Sequence, residues 1–153
     1  MNHLRPLATA ALLAAAALAA GCANTSTAPA GNFYSWTAPL PAAPGKLLRQ
    51  EPLAQAETLA DAGQQLRGLY TATDGVTGQG TVAVSGAVFF PKTPRPAGGW
   101  PVVAWAHGTT GVGDACAPSR NPRTPRDTEY LNTWLREGFV VVATDYQGLG
   151  TPG

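Results

Sequence analysis

Charge is scarce in this chain: only 12% of its 153 residues are Asp, Glu, Lys or Arg, and they nearly cancel to +1. An average soluble domain carries roughly 25%. A balance this thin leaves no basic footprint, which excludes nucleic acid as a partner and electrostatic capture by an anionic membrane surface. Metal ligands are equally short, because two His and two Cys stand too far apart for any ligand spacing, so no metal is expected; no other cofactor is expected either. No internal repeat or run of like charge occurs. Long apolar runs are missing too: the longest, Leu7 to Ala20, falls short of the roughly 20 residues needed to cross a bilayer. Glycine and proline are plentiful instead, at 18 and 14, which predicts a loop-rich folded domain without reaching the composition of low-complexity disorder.

Met1 to Arg5 carries a positive charge, the Ala/Leu run follows, and Gly21-Cys22 closes it. This is the three-part shape of a secretory signal peptide over residues 1–21, so the protein is expected to be exported. Leu18-Ala19-Ala20-Gly21-Cys22 resembles a bacterial lipobox, with Ala19 in the place usually held by Leu. The resemblance implies acylation of Cys22 and attachment to the cell envelope; ordinary cleavage near Ala20 or Ala23, giving a secreted protein, is the alternative. Residues 22–45 hold Ser, Thr, Ala, Pro and Gly without a hydrophobic period and read as a flexible tether. Phe33, Tyr34 and Trp36 are too many aromatics for a spacer and are expected to tuck against the folded body. Cys116 is left unpaired in an oxidising compartment, so it is a disulfide candidate, bonded either to Cys22 or to a partner outside these residues.

From residue 46 onward the signals are those of a domain. Leu66 to Thr73 and Thr81 to Pro91 are rich in Val, Thr, Phe and Tyr, and the turn chemistry of Asp74 to Gly80 between them predicts a β-hairpin. Trp100 to Ala106 is a continuous apolar run, expected as a strand covered on both faces. Thr124-Pro125-Arg126-Asp127 has the form of a capped helix start. Tyr130, Leu131, Trp134 and Leu135 then share a helical face, Gly138 suits the C-terminal cap, and Phe139 to Thr144 is a second buried strand. The order predicts an α/β sheet, antiparallel at its start and parallel afterwards.

The residues that carry chemistry directly follow the two buried strands: His107-Gly108-Thr109-Thr110-Gly111 after the first, Asp145-Tyr146-Gln147-Gly148-Leu149-Gly150 after the second. A Gly-rich loop at a strand's C-terminal end is how acyl-transfer enzymes present backbone N–H groups to a tetrahedral oxyanion, and Gly108 is expected to allow the turn without a Cβ clash. Gly148 to Gly153 also fits Gly-x-Gly-x-x-Gly, the dinucleotide fingerprint. Pro152 sits badly in the helix start that fingerprint needs, no acid about 20 residues on is present, and export argues against a nicotinamide enzyme.

With Thr81 to Gly86, Phe90-Pro91, Ala104 to Gly111, Cys116-Ala117-Pro118-Ser119 and Thr144 to Gly153, the chain from about Lys46 onward resembles the α/β-hydrolase family, and within it the secretory, lipase-A-like branch. The resemblance implies the N-terminal part of an α/β-hydrolase fold, hydrolysis of carboxylic esters such as acylglycerols through a serine acyl-enzyme, and an ester or lipid substrate. It assigns one oxyanion N–H to Thr109 or Thr110: simple His-Gly-X analogy favours Thr109, and register against Cys116 to Ser119 favours Thr110. The nucleophile of this fold sits in a Gly-x-Ser-x-Gly elbow, followed by an acid and a His. Ser26, Ser35, Ser85 and Ser119 lack that context. His107 and Asp145 fall too early for the triad, so the expectation is that His107 packs behind the oxyanion loop, Asp145 braces its turn, and the triad lies outside these residues. The alternative is a non-catalytic surface lipoprotein with a hydrolase-like core.

Overall fold

A computed structural model describes residues 33–152 of the chain; the leader, Cys22 and the first part of the tether lie outside the described residues. Five strands form one sheet: β1 (Leu47–Pro52), β2 (Ala62–Thr73), β3 (Thr81–Pro91), β4 (Val102–Trp105) and β5 (Val140–Thr144), with helix α1 (Pro125–Arg136) between β4 and β5. The spatial order is β1-β2-β3-β5-β4. The hairpin pairs β2 with β3 from Ala62↔Pro91 to Thr73↔Thr81. Beyond it, β5 pairs antiparallel to β3 and parallel to β4, so the chain skips a place after β3 and returns through α1 to fill it. This is an α/β fold whose antiparallel strands lead into a parallel pair, the arrangement of a partial α/β-hydrolase.

Helix α1 forms where the local signals converge. The Thr124 hydroxyl accepts from the Asp127 N–H at 3.2 Å and Pro125 occupies the first helical position. The far end closes as a Schellman motif: Gly138 takes φ +84°, its N–H reaches Leu135 O, and the Phe139 N–H reaches Trp134 O. Leu131 and Leu135 are buried against Ala87, Phe89, Val141 and Ala143 of the sheet, each contributing about 1.5–3 kcal/mol by removal from water. Of the four residues expected on this face, Tyr130 instead lies 48% exposed and meets Trp134 edge-on. Asn132 takes the buried place, its Oδ1 accepting from the Asp61 N–H at 3.0 Å.

Two expectations are corrected here. Strand β4 is covered on one face only: Trp105 packs toward α1, while Val102 is 61% exposed and Ala104 is also exposed. The apolar run signalled a strand with little polar character, and a sheet edge with one bare face has that composition as well. The tether, expected to be flexible through residue 45, is tied down from Phe33 onward. Phe33 and Tyr34 are buried against Leu69, and backbone oxygens of Phe33, Pro41 and Ala43 accept from Arg49, Thr81 and Thr71.

Candidate functional site

Because β4 and β5 run parallel, the loops that leave their C-terminal ends emerge side by side. The loop after β5 is anchored by Asp145, which is 1% exposed. Its Oδ2 accepts from the Ser85 hydroxyl at 2.7 Å and from the Ser119 hydroxyl, and its Oδ1 accepts from the Ser119 N–H at 2.8 Å. Three elements are thereby tied to one carboxyl: β3 through Ser85, the segment preceding α1 through Ser119, and β5 itself. The Tyr34 phenol adds a fourth, 2.9 Å from the Ser119 hydroxyl, and accepts in turn from Arg67 Nη1 at 3.3 Å. Burial pushes the Asp145 carboxyl above its ordinary range, and the Ser119 and Ser85 hydrogen bonds oppose that rise.

These contacts settle where the expected residues stand. Ser85 and Ser119 are fully buried and committed to Asp145, so neither is presented to a substrate. His107 and the Asp145 carboxylate do not pair, since the ring meets Asp145 only at its backbone oxygen, 3.4 Å from Nε2. His107 is itself buried, at 6% exposure. Its Nδ1 donates to the Gly108 carbonyl at 2.6 Å, the only direction open to a contact with an oxygen that can only accept. The ring stacks on Tyr146, centroids 4.2 Å apart and planes 22° off parallel, while the Tyr146 hydroxyl donates to the His107 carbonyl at 2.8 Å.

After His107 the loop turns outward. Gly108, Thr109 and Thr110 are all exposed. The expected reason for glycine at 108 does not hold: its φ lies outside the left-handed region and a Cβ there would meet nothing within 4 Å. The residue that needs glycine's freedom in this loop is Gly111, at φ +126°. In the neighbouring loop Gly150 combines φ +79° with close approach, since a Cβ would stand 3.0–3.1 Å from Ala117 Cβ, Ser85 Oγ and Tyr34 Cδ1. Tyr146 also adopts the left-handed region, at φ +70°, which costs a residue with a Cβ about 1–2 kcal/mol. It is held there from both sides. Gln147, next along, accepts from the Gly75 N–H at 2.7 Å and donates to Asp74 Oδ1 at 2.9 Å, pinning the loop to the hairpin tip.

Tyr34, Tyr146 and the Gln147 clamp are what reading the sequence missed as parts of this site. A signal existed for the last two, since both lie in the Asp145 to Gly150 run; Tyr34 carried only the mark of an aromatic out of place in a tether. The Cys116 thiol is half-buried and free among the described residues, where no group of His, Cys, Asp and Glu is placed to hold a metal ion.

Neither a protein-family model nor a curated protein sequence matches the chain. Solved structures do. Candida antarctica lipase A superposes with a TM-score of 0.56 at 19% identity, and its closed state with 0.54 at 18%. The likeness is one of fold. The match covers 69% of this chain but 26% of each lipase chain, so the chain spans about a quarter of the length of the lipases it resembles.

Proposed function

We propose that these residues form the N-terminal part of an exported serine hydrolase of the lipase or esterase type, acting on carboxylic esters such as acylglycerols. In this reading the 107–111 loop supplies an oxyanion N–H, from Thr109 or Thr110, to an acyl-enzyme reaction whose Ser, acid and His come from sequence beyond Gly153. The observation that carries it is the pairing of the two loops. An exposed Gly-Thr-Thr backbone leaves a parallel strand, backed by a buried His and braced by a buried carboxyl with three donors. The likeness to a lipase fold supports the same reading. Catalysis of this kind rests on donors that are already in place before charge develops, so a rigid backing is what the loop requires.

Hydrolysis of p-nitrophenyl butyrate by the polypeptide read through beyond Gly153, compared with the 153-residue chain, tests this. The extended protein should turn over and lose activity to a fluorophosphonate, while the 153 residues alone should show none. Serine-dependent turnover by the shorter chain, or none by the longer, would contradict it. Export with acylation at Cys22 is part of the proposal: one acyl chain binds a membrane only marginally, with K of about 10⁴ M⁻¹, so stable attachment requires more than one. Palmitate labelling that vanishes in Cys22→Ala is expected, and absent labelling in both proteins would mean ordinary secretion.

A further inference from the structure

We infer that Tyr146 is a positioning residue for the oxyanion donors, aiming the Gly108 and Thr109 N–H groups by holding the two carbonyls that precede them. The inference rests on the hydrolase reading above and deepens it, because it selects Thr109 over Thr110.

Geometry carries the argument. All peptide bonds among the described residues are trans, and in a trans peptide the C=O and the following N–H point in opposite directions. The Tyr146 hydroxyl holds the His107 carbonyl at 2.8 Å, so the Gly108 N–H is turned away from Tyr146. His107 Nδ1 holds the Gly108 carbonyl at 2.6 Å, so the Thr109 N–H is turned away from the buried imidazole. Neither N–H makes a backbone hydrogen bond among the described residues, and above Gly108 the space is open. The imidazole that fixes the second plane is in turn fixed by its stack on the same tyrosine. One side chain therefore sets two successive peptide planes, one directly and one through His107. Its own left-handed backbone, φ +70°, is what brings the phenol back across from β5 to the end of β4. An asparagine or glycine would enter that conformation with less strain, but neither offers a ring to stack and a hydroxyl to donate.

The test uses the full-length polypeptide, 15N-labelled at Gly and Thr, as wild type and as Tyr146→Phe, which keeps the stack and removes the hydroxyl. The Gly108 and Thr109 amide resonances should move while those of Gly86 and Gly150 stay, and kcat on p-nitrophenyl butyrate should fall about 10- to 100-fold with KM unchanged, the scale of a misplaced catalytic group. Tyr146→Gly relieves the backbone and loses both contacts, so it should melt no more than a few degrees from wild type yet lose more kcat than Tyr146→Phe. Unmoved Gly108 and Thr109 resonances in Tyr146→Phe would overturn the inference whatever the kinetics, and so would moved resonances with unchanged kcat. Resonances that move in Tyr146→Phe, alongside a wild-type protein that hydrolyses no ester, would instead sink the hydrolase reading and leave the aiming of the two N–H groups by Tyr146 standing.

Discussion

Ser119 gives both its hydroxyl and its backbone N–H to the carboxylate of Asp145, 26 positions further along the chain. That double contact fastens the segment leading into α1 to the end of β5, and Ser85 fastens β3 to the same oxygen. Removing one hydrogen bond to a buried carboxyl costs about 1.5–3 kcal/mol. Ser85→Ala should therefore destabilise by that amount, and Asp145→Ala by more, since it strands several buried donors at once. Because Ser85 and Ser119 share one oxygen, the Ser85→Ala/Ser119→Ala pair should depart from additivity in denaturant unfolding.

Glycines divide by what a Cβ would meet. At Gly86 it would stand 2.6 Å from the backbone oxygen of Ala143, so Gly86→Ala must push β3 from β5 and should cost about 1–3 kcal/mol or more. Gly150→Ala adds crowding to a left-handed backbone and should cost at least about 2 kcal/mol. Gly78, at φ +69° in open space, is the control, with only the backbone term of about 1–2 kcal/mol. Equal midpoints for the Gly78 and Gly150 variants in urea would contradict the packing described around Ser85, Ala117 and Tyr34.

The Asp74 carboxyl is lowered to about 2, first by the hydrogen bond from Gln147 and then by those from the Val76 N–H and the Thr77 hydroxyl. A folded pKa below the unfolded value of about 3.9 means that this clamp is fully present above about pH 4 and is lost as pH falls toward 2. Carbon-detected titration of Asp74 should show its pKa rising toward the ordinary carboxylate value in Gln147→Ala. An unchanged titration would mean that the hairpin tip, not the loop after β5, sets it.

Much of this was legible because it is local. The hairpin, the capped helix and the two apolar strands each declare themselves within a dozen residues, through turn chemistry, a Thr-Pro-x-Asp start and β-branched runs. Strand β1 was not, because Leu-Leu-Arg-Gln-Glu-Pro has neither alternation nor β-rich composition and becomes a strand only through its partner β2. The Asp145 brace is legible from its place after the strand, but its partners are not, since Ser85, Ser119 and Tyr34 converge from three distant segments with no period to link them. The backbone freedom that the sequence suggests for Gly108 belongs to Gly111; both follow the same strand, and only the dihedral angles tell them apart.

The central claim is that the backbone of Gly108 and Thr109 stabilises an oxyanion, and the kcat of Gly108→Val in the full-length enzyme tests it most directly. Since a Cβ at 108 meets open space, the variant should fold with near wild-type stability, and any loss comes from the branched side chain filling the open space beside the two N–H groups, where the oxyanion would sit. The expected loss is about 10²–10³ in kcat, or roughly 2.7–4 kcal/mol of transition-state stabilisation. His107→Asn, which removes the ring that holds the Gly108 carbonyl but leaves the Tyr146 hydroxyl on the His107 carbonyl, should cost far less than removal of the nucleophile. A stable Gly108→Val enzyme with unchanged kcat would contradict the oxyanion role of this loop.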